Sequence, residues 1–400
     1  MTEQTLKLTT TAELHVILQW WITHMTDHEN GGFYGRINGN GHLYPAAEKG
    51  VILNTRILWT FSAAARKTGN ATYRAMATRA YDYLTRHFTD PMNGGVYWSL
   101  DYTGAPLQTK KQVYTQAFAI YALSEYTLLT GDSYSLNSAL GIVELLERYT
   151  FDCEKNGYFE AYSEEWQLLE DLRLSDKDAN EAKTQNTHLH LLEAYANLLR
   201  ALQNDPDNAT AAAWVSERLE NLVGLFTQKF IDPETAHIHL FFDENWHLKS
   251  DIVSFGHDIE ASWLLWDAVQ TIGNEVLIGQ VKSICLHIAE VTLKEAVDPD
   301  GAVINQRWNS DGRLDTDRIW WVQAEAIVGF WNAFRMSGDE RYQKAAIDCW
   351  NFTHRNMRDT AGGEWYWRIS RTGELFPEED KAGFWKCPYH NGRAMMCFLD

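Results

Sequence analysis

Six times along this chain a turn built from Gly, Asn or Asp leads into a burst of aromatic and β-branched residues. The clearest copies are Asn30-Gly31-Gly32-Phe33-Tyr34, Asn93-Gly94-Gly95-Val96-Tyr97-Trp98, Asn156-Gly157-Tyr158-Phe159 and Gly362-Gly363-Glu364-Trp365-Tyr366-Trp367. Looser copies stand at Thr235-Ala236-His237-Ile238-His239 and Asp300-Gly301-Ala302-Val303-Ile304. Gly31, Gly94 and Gly157 are 63 residues apart, and the later steps run from about 61 to 79. Such a period belongs to a repeated supersecondary unit, and it marks which positions are equivalent.

Between the turn phrases the apolar residues recur at helical spacing. The expected helices are 4–26, 46–68, 72–88, 112–130, 134–150, 185–203, 208–229, 254–273, 276–294, 318–337, 340–357 and 388–400. Gly69-Asn70, Gly131-Asp132, Asn204-Asp205-Pro206-Asp207 and Gly338-Asp339 each stop one helix and restart the next. The turn phrases themselves read as β-hairpins, for example 94–99 pairing with residues after 101–104. Helix, hairpin, helix and short turn, repeated six times, predict an all-α (α/α)6 barrel over 1–400 with no internal linker. An open α-solenoid is the alternative, but neither end carries the polar face of a capping repeat. In a closed ring the hairpins gather at one end, and the starts of the inner helices converge there.

The formal charge is −19, from 54 acidic against 35 basic residues, and no Lys/Arg block stands out. That argues against a nucleic-acid partner or an anionic membrane surface. There is no run of 18 apolar residues and no basic stretch leading into an apolar core at the start, so neither a span nor a signal peptide is expected. Cys153, Cys285, Cys349, Cys387 and Cys397 are odd in number and scattered, as thiols of a reducing compartment are. The expectation is a cytoplasmic protein, a monomer or weak homodimer.

The rare polar residues do fall at the expected inner-helix starts. Asn54 and Arg56 interrupt the apolar run of the first, and Tyr114 follows the second hairpin. The third brings Asn186, His188 and His190, the fourth His257 and Glu260, the fifth Trp320, Trp321 and Glu325, and the sixth Trp385 and His390. Asn186 and His190 share a helix face, whereas His188 points about 200° away from His190, so His190 is the one expected at the mouth. His257 and Glu260 are also on one face, where the carboxylate would hold the imidazole and raise its basicity. His390 sits just after Pro388, near a helix N-terminus.

Each residue alone has a plain reading: a satisfied core histidine, an arginine paired with a core carboxylate, a packed tryptophan. Six such residues at equivalent places are harder to attribute to packing. His188-x-His190 and His257-x-x-Glu260 contain ligand types, but no strong metal motif is present and no metal or cofactor is expected. A glycosidase pair could be nominated from Glu260 with Asp178 or Glu325, but it leaves the histidines without a role. Proton transfer at carbon fits better, with two histidines titrating near neutrality as acid and base and with Arg56 and His190 stabilising an enediolate oxygen.

The stretches 50–56, 186–190, 254–260 and 388–393, Gly50-Val51-Ile52-Leu53-Asn54-Thr55-Arg56 foremost, closely resemble the N-acylglucosamine 2-epimerase superfamily. Residues 169–178 tilt the resemblance toward its cellobiose 2-epimerase branch. The resemblance runs from about residue 12 to the C-terminus. It implies an (α/α)6 barrel isomerase without metal or organic cofactor, which interconverts glucose and mannose at the reducing end of β-1,4-linked disaccharides such as cellobiose and lactose. It further implies His257 and His390 as the acid/base pair, Glu260 as the support of His257, and Arg56 and His190 as the groups steadying the opened sugar. Tyr114, Asp178, Asn186, Trp320, Trp321 and Trp385 match substrate-contacting positions. The competing readings are a monosaccharide isomerase or N-acylglucosamine 2-epimerase of the same superfamily, and a non-enzymatic carbohydrate-binding barrel.

Overall fold

The computed structural model describes residues 3–399. In chain order its helices are α1 (Glu3–Met25), α2 (Val51–Thr68), α3 (Ala71–Tyr83), α4 (Val113–Thr130), α5 (Ser133–Tyr149) and α6 (Gln185–Gln203). They continue with α7 (Ala209–Leu225), α8 (Phe255–Ile272), α9 (Glu275–Glu295), α10 (Trp320–Ser337), α11 (Glu340–Asn356) and α12 (Tyr389–Met396). One π-helical turn extends α3 through Leu84–Phe88, and another extends α7 through Phe226–Phe230.

Local chemistry explains where most inner helices end. Gly69, Gly131, Gly273 and Gly338 adopt left-handed φ of 69°, 74°, 76° and 74°, which costs glycine nothing and closes α2, α4, α8 and α10. The next residue is Asn70, Asp132, Asn274 or Asp339, whose side chain accepts backbone N–H groups of the following helix. Such a cap contributes about 1 kcal/mol. The pair Gly273-Asn274 does this work without having been among the junctions expected from sequence.

The even-numbered helices form the inner ring: α2 packs on α4, α4 on α6, and so on through α8 and α10 to α12, which returns to α2. Each of α2, α4, α6, α8 and α10 is backed by the odd-numbered helix that follows it, and α12 is backed by α1. The last helix is only 8 residues long, yet every one of them is buried, so it closes the ring as a short wedge. The expected end of that helix at 400 lies outside the described residues. By length and composition alone α9 could cross a membrane. Here it lies in the outer layer against α8 and α10, with Val281, Cys285, Ile288, Ala289 and Thr292 buried.

The hairpin expectation holds in each repeat, through the local fold-backs Ile37–Leu43, Ser99–Gln108, Tyr162–Leu168, Phe242–Leu248, Gln306–Asp315 and Ile369–Leu375, and pairing between repeats is added to it. Each phrase closes a tight turn through a single bridge, Thr26–Phe33, Thr89–Val96, Phe151–Tyr158, Ile231–Ile238, Val297–Val303 and Arg358–Trp365. The strand that follows then pairs with the strand leading into the preceding inner helix: Ser99 with Gly50, Ala161 with Gln112, Phe241 with Thr184, Gln306 with Ser254 and Arg368 with Ile319. Ile37 pairs with Ala382 and joins the first repeat to the last. The strands therefore link neighbouring repeats around the mouth, as well as folding back locally where Ser99 meets Gln108. This pairing also explains why α2 starts at Val51 and not at 46, since Lys49–Gly50 is already a strand.

Buried ion pairs fix these loops. Asp27, Asp90, Asp152 and Asp359 each accept backbone N–H groups of their own turn with one oxygen and bind Lys49, Lys111, Lys183 or Lys381 with the other. Asp298 binds Arg318 at 2.5 Å in the fifth copy. The fourth copy has Val253 where Lys111 and Lys183 stand, two residues before the inner helix.

Candidate active site

Three positions of the repeated inner helix have separate duties. The fourth residue of α4, α6, α8 and α10 is Gln116, His188, Asp258 and Gln323. Each accepts a backbone N–H of a turn phrase, from Val96 at 2.8 Å, Tyr158 at 2.9 Å, Ile238 at 2.8 Å and Val303 at 2.9 Å. His188 is thus the histidine version of a loop anchor. The second residue supplies Tyr114, Asn186, Trp321 and His390. The sixth supplies Arg56, Phe118, His190, Glu260 and Glu325, and α12 adds Arg393 from its fifth.

Residues from the second and sixth positions, joined by His257 from the third of α8 and Trp320 from the first of α10, frame a cavity of about 490 Å³ at the hairpin end. Arg56, Tyr114, Asp178, Asn186, His190, His257, Glu260, Trp320, Trp321, Trp385 and His390 all line it, together with Trp367 and the loop 174–177. A further space of about 500 Å³ shares Leu174, Asp178, Asn186, His257 and Trp321 with it and extends toward Ser254 and Gln306. Asp178 accepts from the Ser175 backbone at 2.8 Å and hydroxyl at 2.7 Å, which folds the loop over the opening.

Each histidine is gripped through Nδ1. His390 Nδ1 lies 2.7 Å from Glu325 Oε1, His190 Nδ1 2.9 Å from Glu193 Oε2, and His257 Nδ1 2.8 Å from Ser254 Oγ. The last contact corrects the sequence expectation that Glu260 holds His257. Glu260 instead receives Arg393 Nη2 at 3.1 Å, and the turn of α8 leaves the N-cap serine under the imidazole. Trp321 stands between the two proposed acid/base rings, with its centroid 4.9 Å from His257 and 5.8 Å from His390. Trp320 meets His390 edge-on at 5.3 Å.

Arg393 organises the floor. Its Nη1 binds Glu193 and Tyr389, and its Nη2 binds Glu325 at 2.7 Å in addition to Glu260. One guanidinium therefore holds the carboxylates behind His190 and His390. Burial opposes charge on Glu325 and Glu193, but Arg393 and the bonded histidines outweigh it and hold both down at about 2. Glu260 has the reverse balance: burial and the neighbouring Glu325 outweigh Arg393 and push it well above the usual carboxylate range. Of the atoms of Glu260, Glu325 and His390 that could ligate a metal, all lie within 4.8 Å of one another. Arg393 already places positive charge against both carboxylates of that group.

Burial pushes His257 down to about 4 and His390 to about 3, the latter helped by Arg56 and Arg393 and opposed by Glu325. His190 is lowered by burial against the pull of Glu193. The imidazoles are neutral in the free site, not titrating near neutrality as the sequence reading expected. Low polarity outweighs their acidic partners here. Arg56 donates to Tyr114 Oη at 2.7 Å and the Trp385 carbonyl at 3.3 Å, and its Nε is buried without a partner. Among the described residues it has no carboxylate partner, unlike the core ion pair that was its plain alternative. A buried guanidinium so placed is poised for negative charge that develops on a ligand.

Sequence reasoning missed Glu193, Tyr389, Arg393, Trp367 and the pairing of Glu325 with His390. Glu193 stands three residues after His190, the same spacing that drew attention to His257 and Glu260. The Glu325–His390 contact joins residues 65 apart in sequence and leaves no local signal.

The family model for N-acylglucosamine 2-epimerase (GlcNAc 2-epimerase) matches residues 32–394. The chain is 50% identical to a cellobiose 2-epimerase of Bacteroides fragilis over 95% of its own length and 94% of that protein. It is 38% identical to a cellobiose 2-epimerase of Ruminococcus albus, covering 96% of this chain and 95% of that one. The solved cellobiose 2-epimerase from Bacillus thermoamylovorans superimposes with a TM-score of 0.92 at 37% identity, covering 99% of both chains. A D-mannose isomerase structure shares the fold, with a TM-score of 0.84 at 22% identity.

Proposed function

The chain belongs to the N-acylglucosamine 2-epimerase family, and from that membership we propose that it is a cellobiose 2-epimerase. It would interconvert glucose and mannose at the reducing end of cellobiose and, by the same chemistry, convert lactose to epilactose. The observation that carries the chemistry is the pair His257 and His390, two neutral imidazoles lining one cavity and each anchored through Nδ1, so that Nε2 is left to exchange protons. The two adjoining spaces of about 490 and 500 Å³ offer room for two pyranose rings, which favours a disaccharide over a monosaccharide.

The reaction begins with ring opening, in which an imidazole passes the O1 proton to the ring oxygen. A neutral imidazole then takes the proton from C2, becoming imidazolium, and the electron pair moves onto the carbonyl oxygen as a cis-enediolate. Arg56, with its charge and free Nε, and His190 stabilise that oxygen. Rotation about C2–C3 presents the other face, and a proton delivered there from the second histidine side completes epimerisation. The second imidazole takes up a proton from solvent for that step and the first imidazolium gives one back, so the site returns to its starting charge. Tryptophans 320, 321 and 385 offer flat faces to the sugar. Five cysteines, none in a disulfide among the described residues, support a reducing, cytoplasmic setting as part of this reading.

Incubation with cellobiose, lactose and mannose in separate reactions tests the proposal. Glucosyl-mannose and epilactose are expected from the disaccharides. Fructose from mannose, with both disaccharides untouched, would assign the chain to monosaccharide isomerisation instead.

A further inference from the structure

A second cavity, of about 270 Å³, lies on the barrel axis beneath the first, lined by the C-terminal halves of the inner helices and by α12. Its polar lining is unbalanced. Three buried N–H donors there have no acceptor: Trp59 Nε1, Asn332 Nδ2 and Arg393 Nε. Trp59 and Arg393 are only 7% and 6% exposed, so bulk water does not serve them. The two carboxylates of the lining are already engaged. Glu125 accepts from Arg66 at 2.8 Å and Asn197 at 3.1 Å, and Asp267 pairs with Arg200 at 2.5 Å. Arg335 lies at the rim, exposed, with no ion-pair partner among the described residues.

Buried polar groups in native proteins find partners, and every unmet demand here is for an acceptor. The surroundings are also locally cationic in a chain whose net charge is −19. An uncharged occupant would meet the donors, Arg393 Nε among them, and leave the charge of Arg335 unanswered. We propose that this cavity is a binding site for a small oxyanion, a phosphate or a compact carboxylate, held by Arg335 at the rim and by Trp59, Asn332 and Arg393 Nε inside. Guanidinium groups suit both anion types because they donate paired, charge-assisted hydrogen bonds. The site would also touch the catalytic floor from behind, since the Nη atoms of Arg393 hold Glu193, Glu260 and Glu325.

The test uses the whole protein without sugar, so its failure leaves the epimerase reading standing. Tryptophan fluorescence and thermal unfolding are followed while inorganic phosphate or succinate is added, with chloride at matched ionic strength as control. Trp59, Trp263 and Trp331 line the cavity and report directly. We expect saturable quenching and a Tm that climbs with ligand concentration for at least one oxyanion, as binding to the folded state alone requires. The phosphate and succinate arms decide which anion it is. Arg335→Gln and Trp59→Phe, which keeps an aromatic ring but loses the N–H, should each weaken binding about tenfold. Responses that match those of chloride, or that are unchanged in both variants, would overturn the site.

Discussion

Glu325 Oε1 lies 2.7 Å from His390 Nδ1 and also 2.7 Å from Arg393 Nη2, so one carboxylate oxygen both orients the proposed acid/base imidazole and ties it to the barrel floor. The bond fixes which ring nitrogen is left for chemistry. Glu325→Gln keeps the shape but removes the charge, and its amide can present an N–H to Nδ1 and favour the wrong tautomer. We expect kcat for cellobiose to fall about 10²-fold or more with little change in KM. A variant with unaltered kcat would show that orientation of His390 does not depend on Glu325.

Ser254, not Glu260, holds His257. Ser254→Ala should therefore lower kcat by about tenfold through loss of one orienting hydrogen bond, about 1–1.5 kcal/mol, while the circular dichroism spectrum stays as in the parent. Ser254→Thr, which retains the hydroxyl, should recover part of the loss. Full activity in the alanine variant would remove Ser254 from the account.

His188 offers a pH test away from the chemistry. Burial lowers it to about 4, so between the ordinary histidine value near 6.5 and that value the unfolded chain binds more protons than the folded one. Stability is unaffected above about pH 6.5 and is lost as pH falls through that window. Gln116 and Gln323 fill the equivalent positions, so His188→Gln should accept the Tyr158 N–H, preserve activity and flatten the loss of stability between pH 6.5 and 4. Urea midpoints measured across that range check it, and equal slopes for both proteins would contradict it.

Lys111 and Asp90 form an ion pair at 2.8 Å with both side chains fully enclosed. Lys111→Met strands a buried carboxylate and should cost about 3–5 kcal/mol, read as a lower urea midpoint. Adding Asp90→Asn should restore much of the loss, because the amide can still accept from the Met92 and Asn93 N–H groups. The fourth repeat, with Val253, already manages without such a lysine. Failure of the second substitution to recover any stability would place the damage elsewhere in the loop.

The ring was legible because its punctuation is local. Gly131-Asp132 and Gly338-Asp339 carry their stop and start chemistry within two residues, and helical spacing does the rest. Choosing His190 over His188 was equally local, a matter of helix rotation. What escaped was long-range: Glu325 meeting His390, Arg393 reaching Glu193 across 200 positions, and the strand at 99–100 pairing back to 49–50. The error over Glu260 has the same origin. Spacing shows which side chains share a face, but Arg393, arriving from another helix, decides what Glu260 binds.

The central claim is that His257 and His390 exchange protons at C2 from opposite faces of one intermediate. Its most direct test is NMR of cellobiose converted in D2O by the parent protein, His257→Ala and His390→Ala. The parent should place deuterium at C2 of the mannose unit, while each folded variant should lose epimerisation by about 10²-fold or more. Epimer carrying only the original hydrogen at C2, or parent-like conversion by either variant, would contradict the two-histidine mechanism.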